Sequence, residues 1–297
     1  MKRNRRIRKQ RGAGPSAFGW AALALAWLCV LPIAAFVFCP KAADAEAEPV
    51  FLPTERESSD ASVSMRILPA VRALRSAEPT ILIYHTHTTE AYTQTETDTY
   101  TETSKWRTSD TAQNVVAVGE ALKEILETQY GFTVLHDTTD HEPPKLATAY
   151  ERSLETLARY HEEYPSIVLF IDLHRDAYET ENAPCDYLVI NGVETARLMF
   201  VVGKGEKYDD KPYFESNRAL ANRMTAYLNT IDPKLCRPVR VKTGRYNQHV
   251  APNCILVEVG HNANTLAQAK AAMPYLAESL AYAFSHGSIA PQDWTPN

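Results

Sequence analysis

Apolar and polar positions divide the chain into three regimes. Phe18 to Phe38, "FGWAALALAWLCVLPIAAFVF", runs for 21 residues without a charge. One membrane-crossing helix needs about 20 such residues, and a proline such as Pro32 is tolerated in lipid-embedded helices. From Lys41 to Thr80 there is no clean period; "KAADAEAEPVFLPTERESSDAS" is rich in Ala, Glu, Ser and Pro and reads as a linker. From Ile81 onward, short apolar runs alternate with segments of helical spacing.

The third regime can be read element by element. "ILIYH" at Ile81 is a continuous apolar run, as a buried strand requires. The threonine-rich "TQTETDTYTETSKWRTSD" is a long polar loop. Asp110 to Glu127 carries Val115, Val118, Leu122 and Ile125 three or four apart, one face of a helix. "FTVLH" is a strand, Leu146 to Glu163 a helix with Leu154 and Leu157 inward, and "SIVLFIDLHRD" the longest apolar strand. "DYLVINGVETARLMFVVG" breaks the alternation, because Asn191-Gly192 between apolar runs is a hairpin signal. A helix from about Phe214 to Asn229, the strands "PVRVKT" and "CILVEVG", and a helix from about Asn264 to Phe284 complete the pattern. Strands alternating with helices predict an α/β fold with a mostly parallel, twisted sheet, helices on both faces and one inserted β-hairpin. The domain spans 80–286, preceded by a linker at 39–79 and a transmembrane helix at 18–38 and followed by a tail at 287–297.

Charge changes the picture at the N-terminus. Seven Lys or Arg and no acid lie in the first eleven residues, so the rest of the chain carries −12 against −5 for the whole. Residues 1–17 are a basic tail that the positive-inside rule keeps in the cytoplasm, which puts the domain outside the cell membrane on a single-pass anchor. The competing reading is a cleaved signal peptide, since Ala43-Asp44-Ala45 resembles a cleavage site, but signal cores run about 7 to 15 residues. The acidic body argues against nucleic acid as a partner. Cys29 and Cys39 belong to the membrane segment, and Cys185, Cys236 and Cys254 form no CxxC and read as small buried hydrophobes.

Three buried-looking strands end in ionisable residues. The first runs into His85 and His87, with Glu90 three residues on; the second ends at His174, Arg175 and Asp176; the third carries Glu258. In open parallel sheets, ligands bind beyond the carboxyl ends of the strands, so parallel neighbours would gather these residues at one edge. Two His and one Glu are the ligand set of a catalytic zinc site with an open fourth position. Glu258 is then the general base for metal-activated water; its alternative is a structural ion pair with Arg175. His85 is a hydrogen-bonded structural residue at a strand end, a residue that orients a ligand, or a ligand itself. His136, His141, His161 and His286 are expected in solvent, and His249 and His261 at the site rim or on the surface.

"IYHTHTTEAY", "IDLHRDA" and "NQHVAPNCILVEVGHNANTL" resemble, in order and spacing, the motifs of the stage II sporulation protein P family, over about Thr80 to Phe284. That family is a group of N-acetylmuramoyl-L-alanine amidases related to zinc-dependent cell-wall amidases. The resemblance implies hydrolysis of the amide between the muramic acid lactyl group and L-alanine in peptidoglycan. It also implies action on peptide crosslinks, and work beside a lytic transglycosylase and membrane proteins of the engulfment machinery. Carried over by motif, the metal ligands are His87, Glu90 and His174, with Glu258 catalytic and His85 and Arg175 supporting the site or touching substrate. Ala91, His249 and His261 depart from the family's usual residues. Two rival functions remain on the sequence alone: a zinc carboxypeptidase, with Arg175 placed for a terminal carboxylate, and a non-catalytic wall-binding scaffold.

Overall fold

A computed structural model of the chain describes residues 74–178, 186–208 and 212–286. Its core is a six-stranded sheet in the order β2-β1-β3-β8-β6-β7, with β1 Ile81–Tyr84, β2 Val134–His136, β3 Leu169–Asp176, β6 Leu198–Gly203, β7 Arg240–Lys242 and β8 Cys254–His261. Neighbours pair in parallel except β6 against β8. β4 Tyr187–Ile190 and β5 Val193–Ala196 form a separate hairpin. Its turn is Asn191-Gly192, both left-handed at φ 52 and 83, the conformation that Asn-Gly adopts at low cost. The mixed α/β class, the mostly parallel sheet and the inserted hairpin thus stand as the sequence pattern predicts.

Alternation along the strands sorts the core into two faces. Ile81, Ile83, Ile171, Leu173, Ile255, Val257 and Val259 point to one side. There they meet the apolar stripes of α1 Val115–Thr128, α3 Phe214–Ile231, α4 Leu266–Ala271 and α5 Met273–Ser285. Leu82, Tyr84, Phe170 and Cys254 point to the other side, where Leu157 of α2 Ala149–Glu163 and Ile167 cover them. Further along that face Met199, Val201 and Leu256 form a small cluster with Tyr246. Full burial of each aliphatic side chain contributes about 1.5–3 kcal/mol, so the helix-rich face supplies most of the stabilisation. The second face is only partly roofed.

Several boundaries differ from the sequence expectation for local reasons. α1 starts at Val115 rather than Asp110, because Asn114 is extended and its side chain accepts the Val116 N–H as a cap. The final helix is two, breaking at Ala272, since Pro274 has no N–H to continue the ladder. Residues assigned to the linker join the packed body from Leu74, which is fully buried and whose carbonyl accepts from Thr80 Oγ1 at 2.9 Å. The predicted anchor at 18–38 lies outside the described residues, and no helix among those described is long and apolar enough to cross a membrane.

Two histidines expected in solvent are buried. His141 Nδ1 donates to the His85 carbonyl (2.8 Å) while Nε2 meets Thr156 Oγ1 (2.9 Å). His136 packs against His85, Nε2 to Nε2 at 2.9 Å, and its Nδ1 meets Glu120 Oε2 at 2.9 Å. This pair occupies the space beside Gly119 in the middle of α1, where a Cβ would lie 2.7 Å from His136 Nε2 and 2.9 Å from His85 Nε2. A mid-helix glycine costs about 1 kcal/mol relative to alanine, and the imidazole pair explains its presence.

Gly119→Ala tests this packing. Overpacking at about 1–3 kcal/mol outweighs the gain in helix propensity, so the thermal midpoint should fall by about 2–6 °C. A midpoint that rises would mean the imidazoles yield freely.

Candidate functional site

The parallel register of β3 and β8 sets His174 opposite Glu258. Leu173 and Val257 point to the helix-rich face, so Asp172, His174, Leu256 and Glu258 point to the partly roofed one. Just past His174 the register shifts by a bulge before Asp176 pairs with His261. Such bulges bend a strand and re-aim its side chains.

The turn after β1 is pinned onto this face. The Thr86 N–H donates to Asp172 Oδ1 (2.8 Å) and Thr86 Oγ1 to Asp172 Oδ2 (2.7 Å). The next histidine, His87, is thereby brought beside His174, with ring centroids 5.4 Å apart at 78°. Glu90 arrives three residues later, fixed by its carbonyl, which accepts the Val115 N–H at the start of α1 (2.9 Å). Its Oε2 accepts the Arg175 N–H (3.1 Å) and lies 3.3 Å from His174 Nδ1. Arg107 Nη2 and Arg175 Nη1 stand 3.6 and 3.8 Å from Oε1. Asp172 Oδ1 lies 2.8 Å from His174 Nε2, off the line of a directed hydrogen bond.

These surroundings set the charges. Burial opposes the Glu90 carboxylate, but Arg175, His174 and His87 outweigh it and hold its pKa far below the usual range. Burial also opposes charge on His174, yet Asp172 and Glu90 raise its pKa well above the ordinary imidazole value. His87 is pushed down to about 4, first by burial and then by His174. Burial lifts Glu258 to about 7, with Glu90 adding to the rise and His174 opposing it. A carboxyl poised near neutrality exchanges protons readily at working pH.

Four of the six residues singled out from the sequence, His87, Glu90, His174 and Glu258, meet on this face. His85 does not. It continues the inward alternation of Ile81 and Ile83, faces Gly119 of α1, and bonds the Leu173 carbonyl through Nδ1 at 2.8 Å. Arg175 is 4% exposed, with Nε on the Ala91 carbonyl and Nη2 on the Trp106 carbonyl, both at 2.9 Å. It braces the loop that carries Glu90 and is not open to a substrate carboxylate, and its acidic partner is Glu90 rather than Glu258. His249 and His261, at 4% and 1% exposure, are not on the surface.

Sequence reading missed Asp172, Arg107, Tyr150 and Tyr246. Tyr150, at the start of α2, stands edge-on to His87 (5.6 Å between centroids) and to Tyr246 (5.5 Å). Asp172 had a visible signal: an acid inside an apolar strand, two residues before His174, must be hydrogen-bonded to be buried. The tyrosines had none, because their place depends on a helix and a loop distant in sequence from His87.

Among the described residues no group of three or more His, Cys, Asp or Glu already stands closed around a metal-sized space. The donors present nonetheless suit a divalent transition metal: two imidazoles and a carboxylate. His87 Nδ1 and Glu258 Oε2 are buried with no hydrogen-bond partner. Buried polar atoms without partners are costly in a folded protein, and a cation shared with His174 and Glu90 would satisfy the first of them.

No curated protein sequence matches the chain. Among solved structures it is similar to the N-acetylmuramoyl-L-alanine amidase AmiC2 of Nostoc punctiforme, at 17% identity over 70% of this chain and 96% of that one, TM-score 0.38. It is similar also to the N-acetylmuramoyl-L-alanine amidase from Clostridium difficile 630, at 16% identity over 70% and 95% of the two chains, TM-score 0.41. A third is the amidase Ami1 from Mycobacterium abscessus in its apo form, at 10% identity over 69% and 99%, TM-score 0.40. The family model for stage II sporulation protein P (SpoIIP) matches residues 41–281, and over that length the chain belongs to the SpoIIP family.

Proposed function

We propose that this protein is a membrane-anchored, zinc-dependent peptidoglycan hydrolase that cleaves the amide between N-acetylmuramic acid and the L-alanine of the stem peptide. The observation that carries this reading is the meeting of His87, Glu90, His174 and Glu258 on one partly roofed face, with His87 Nδ1 and Glu258 Oε2 buried and unpartnered. Membership of the SpoIIP family supports a role in sporulation. The uncharged segment at 18–38 supports a single-pass anchor with the domain outside, and the family resemblance implies work in engulfment beside a lytic transglycosylase.

On this reading His87, Glu90 and His174 hold the metal. A bound zinc ion supplies a Lewis acid that polarises the scissile carbonyl and makes water a better nucleophile at neutral pH. Glu258, beside His174 and poised at about 7, takes a proton at Oε2 from the attacking water and returns it to the leaving nitrogen of L-alanine. Glu90 stays ionised because Arg175 and Arg107 stand against it, which keeps a negative donor in the ligand set. Asp172, held by Thr86, sets the position of the His174 ring. The carboxypeptidase alternative loses its support, because the donors of Arg175 are committed to Ala91, Trp106 and Glu90. The scaffold alternative leaves the unpartnered atoms of His87 and Glu258 without a purpose.

Two outcomes are expected. His87→Ala should lose at least tenfold in zinc affinity, whereas His85→Gln should keep one zinc per chain and lower the thermal midpoint; metal analysis and a melting curve read both, and the reverse pattern would move the ligand to His85. Glu258→Gln should still take up zinc and bind sacculi, yet release stem peptides at least a hundredfold more slowly. Muropeptide mass spectrometry reads that release, and solubilisation at the normal rate would remove Glu258 from the chemistry.

A further inference from the structure

The same face of the sheet carries a second chemical feature beyond the proposed metal cluster. β7 pairs with β6 so that Val201 faces Arg240 and Gly203 faces Lys242. Val201 belongs with Met199 and Leu256 to the cluster under Tyr246, whereas Val202, one residue on, points into the helix-rich core. Arg240 and Lys242 therefore share the face of Tyr246 and Glu258, and Val241 between them points away. Glu258 lies on β8, and β6 separates it from β7. Two strand spacings amount to about 10 Å sideways, and along β6 Arg240 and Lys242 lie level with Val201 and Gly203, two and four residues from Met199, the partner of Glu258, so the two cations stand about 12 and 16 Å away.

These cations are uncommitted. Neither Arg240 nor Lys242 makes an ion pair among the described residues, in a chain whose body carries a strong negative excess. Among the described residues the ion pair of Lys204, directly after β6, is with its exposed neighbour Glu206, at 3.5 Å; such exposed pairs hold weakly. Charge on an edge strand also deters sheet-to-sheet aggregation, but that purpose does not explain the surface built between the edge and the ligand cluster. Tyr246 and Asn247 are consecutive non-glycine residues in the left-handed region, at φ 50 and 52, a conformation that persists only where the surroundings impose it. Two glycines make room for the Tyr246 ring: a Cβ on Gly203 would lie 2.9 Å from its Cδ2, and one on Gly244 2.8 Å from its Cε2. Asn247 in turn ties the loop to α2 by donating to the Tyr150 carbonyl at 2.9 Å. His87, Tyr150 and Tyr246 thus form a row of rings leading from the ligand cluster toward Arg240 and Lys242.

We propose that Arg240 and Lys242 form a subsite for the carboxylates of the stem peptide, which lies across Tyr246 with its L-alanine end at the ligand cluster. The proposal rests on the peptidoglycan reading and deepens it. The glycan has no free charge once its lactyl carboxyl is joined in the amide, so a cationic edge has nothing to read there. The stem peptide does have charge: a γ-linked D-glutamate at its second position leaves a free α-carboxylate. An extended chain covers about 3.3–3.6 Å per residue, so about 12 to 16 Å spans roughly four residues of the stem peptide, with Arg240 the cation nearer its second residue.

The test is calorimetric binding to the zinc-loaded full chain of two free tetrapeptides, identical except for a carboxylate or a carboxamide on the α-carbon of the second residue. The native protein should bind the carboxylate form about tenfold more tightly, with the preference shrinking as salt rises. Arg240→Gln with Lys242→Gln should bind both alike, at the affinity of the carboxamide form, with an unchanged thermal midpoint. An unchanged preference in the double variant, an equal loss for both peptides, or no binding by the native protein would overturn the subsite. Hydrolysis of intact muropeptides is scored separately. Cleavage without discrimination removes the subsite and leaves the amidase, whereas discrimination without cleavage does the reverse.

Discussion

The side-by-side pairing of β3 and β8 is the constraint on which the site depends. Side chains alternate along a strand with period 2, so a slip of one residue would send His174 and Glu258 to opposite faces. The register is held by burial: Ile171, Leu173, Ile255 and Val257 fill the helix-rich core, and a one-residue slip would turn one strand's pair out of it. The apolar half of each strand therefore fixes where its polar half points. Placement of the reactive groups follows from packing on the far side of the sheet.

Around that pairing the polar residues are arranged in tiers. Asp172 holds Thr86, and Thr86 fixes the turn that brings in His87. Arg175 braces the loop that carries Glu90, and its own N–H orients the Glu90 carboxylate. His85 and His136 do structural work on the opposite side, tying the end of β1 to α1 and the Leu173 carbonyl, while His141 ties it to α2. Two histidines two residues apart in "HTH" thus serve different faces, because the strand ends just before them and the turn that starts at Thr86 breaks the alternation.

The electrostatics of the face run from acidic to basic. Glu90, Asp172 and Glu258 crowd around His174 at the carboxyl end of β3, and Arg240 and Lys242 stand on the edge strand. The net negative charge of the body says nothing of this gradient, since a sum over the chain has no positions in it. For an enzyme acting on a branched polymer, such a gradient can set the direction in which a substrate lies.

The sequence by itself determined the fold class, the hairpin and the strands that end in ionisable residues. Each of these is written in local periodicity: continuous apolar runs, three-and-four spacing, and Asn-Gly between strands. It also marked His87, Glu90, His174 and Glu258, because charged residues at the ends of apolar runs are costly without a function. Tertiary structure alone decided between His85 and His87 as neighbours of His174, turned Arg175 inward, and buried His136 and His141. It also brought Tyr150, Tyr246, Arg240 and Lys242 to the same face. These depend on which face a residue takes after a strand ends and on which distant segment covers it, and contacts between segments far apart in the chain leave no period for the sequence to show.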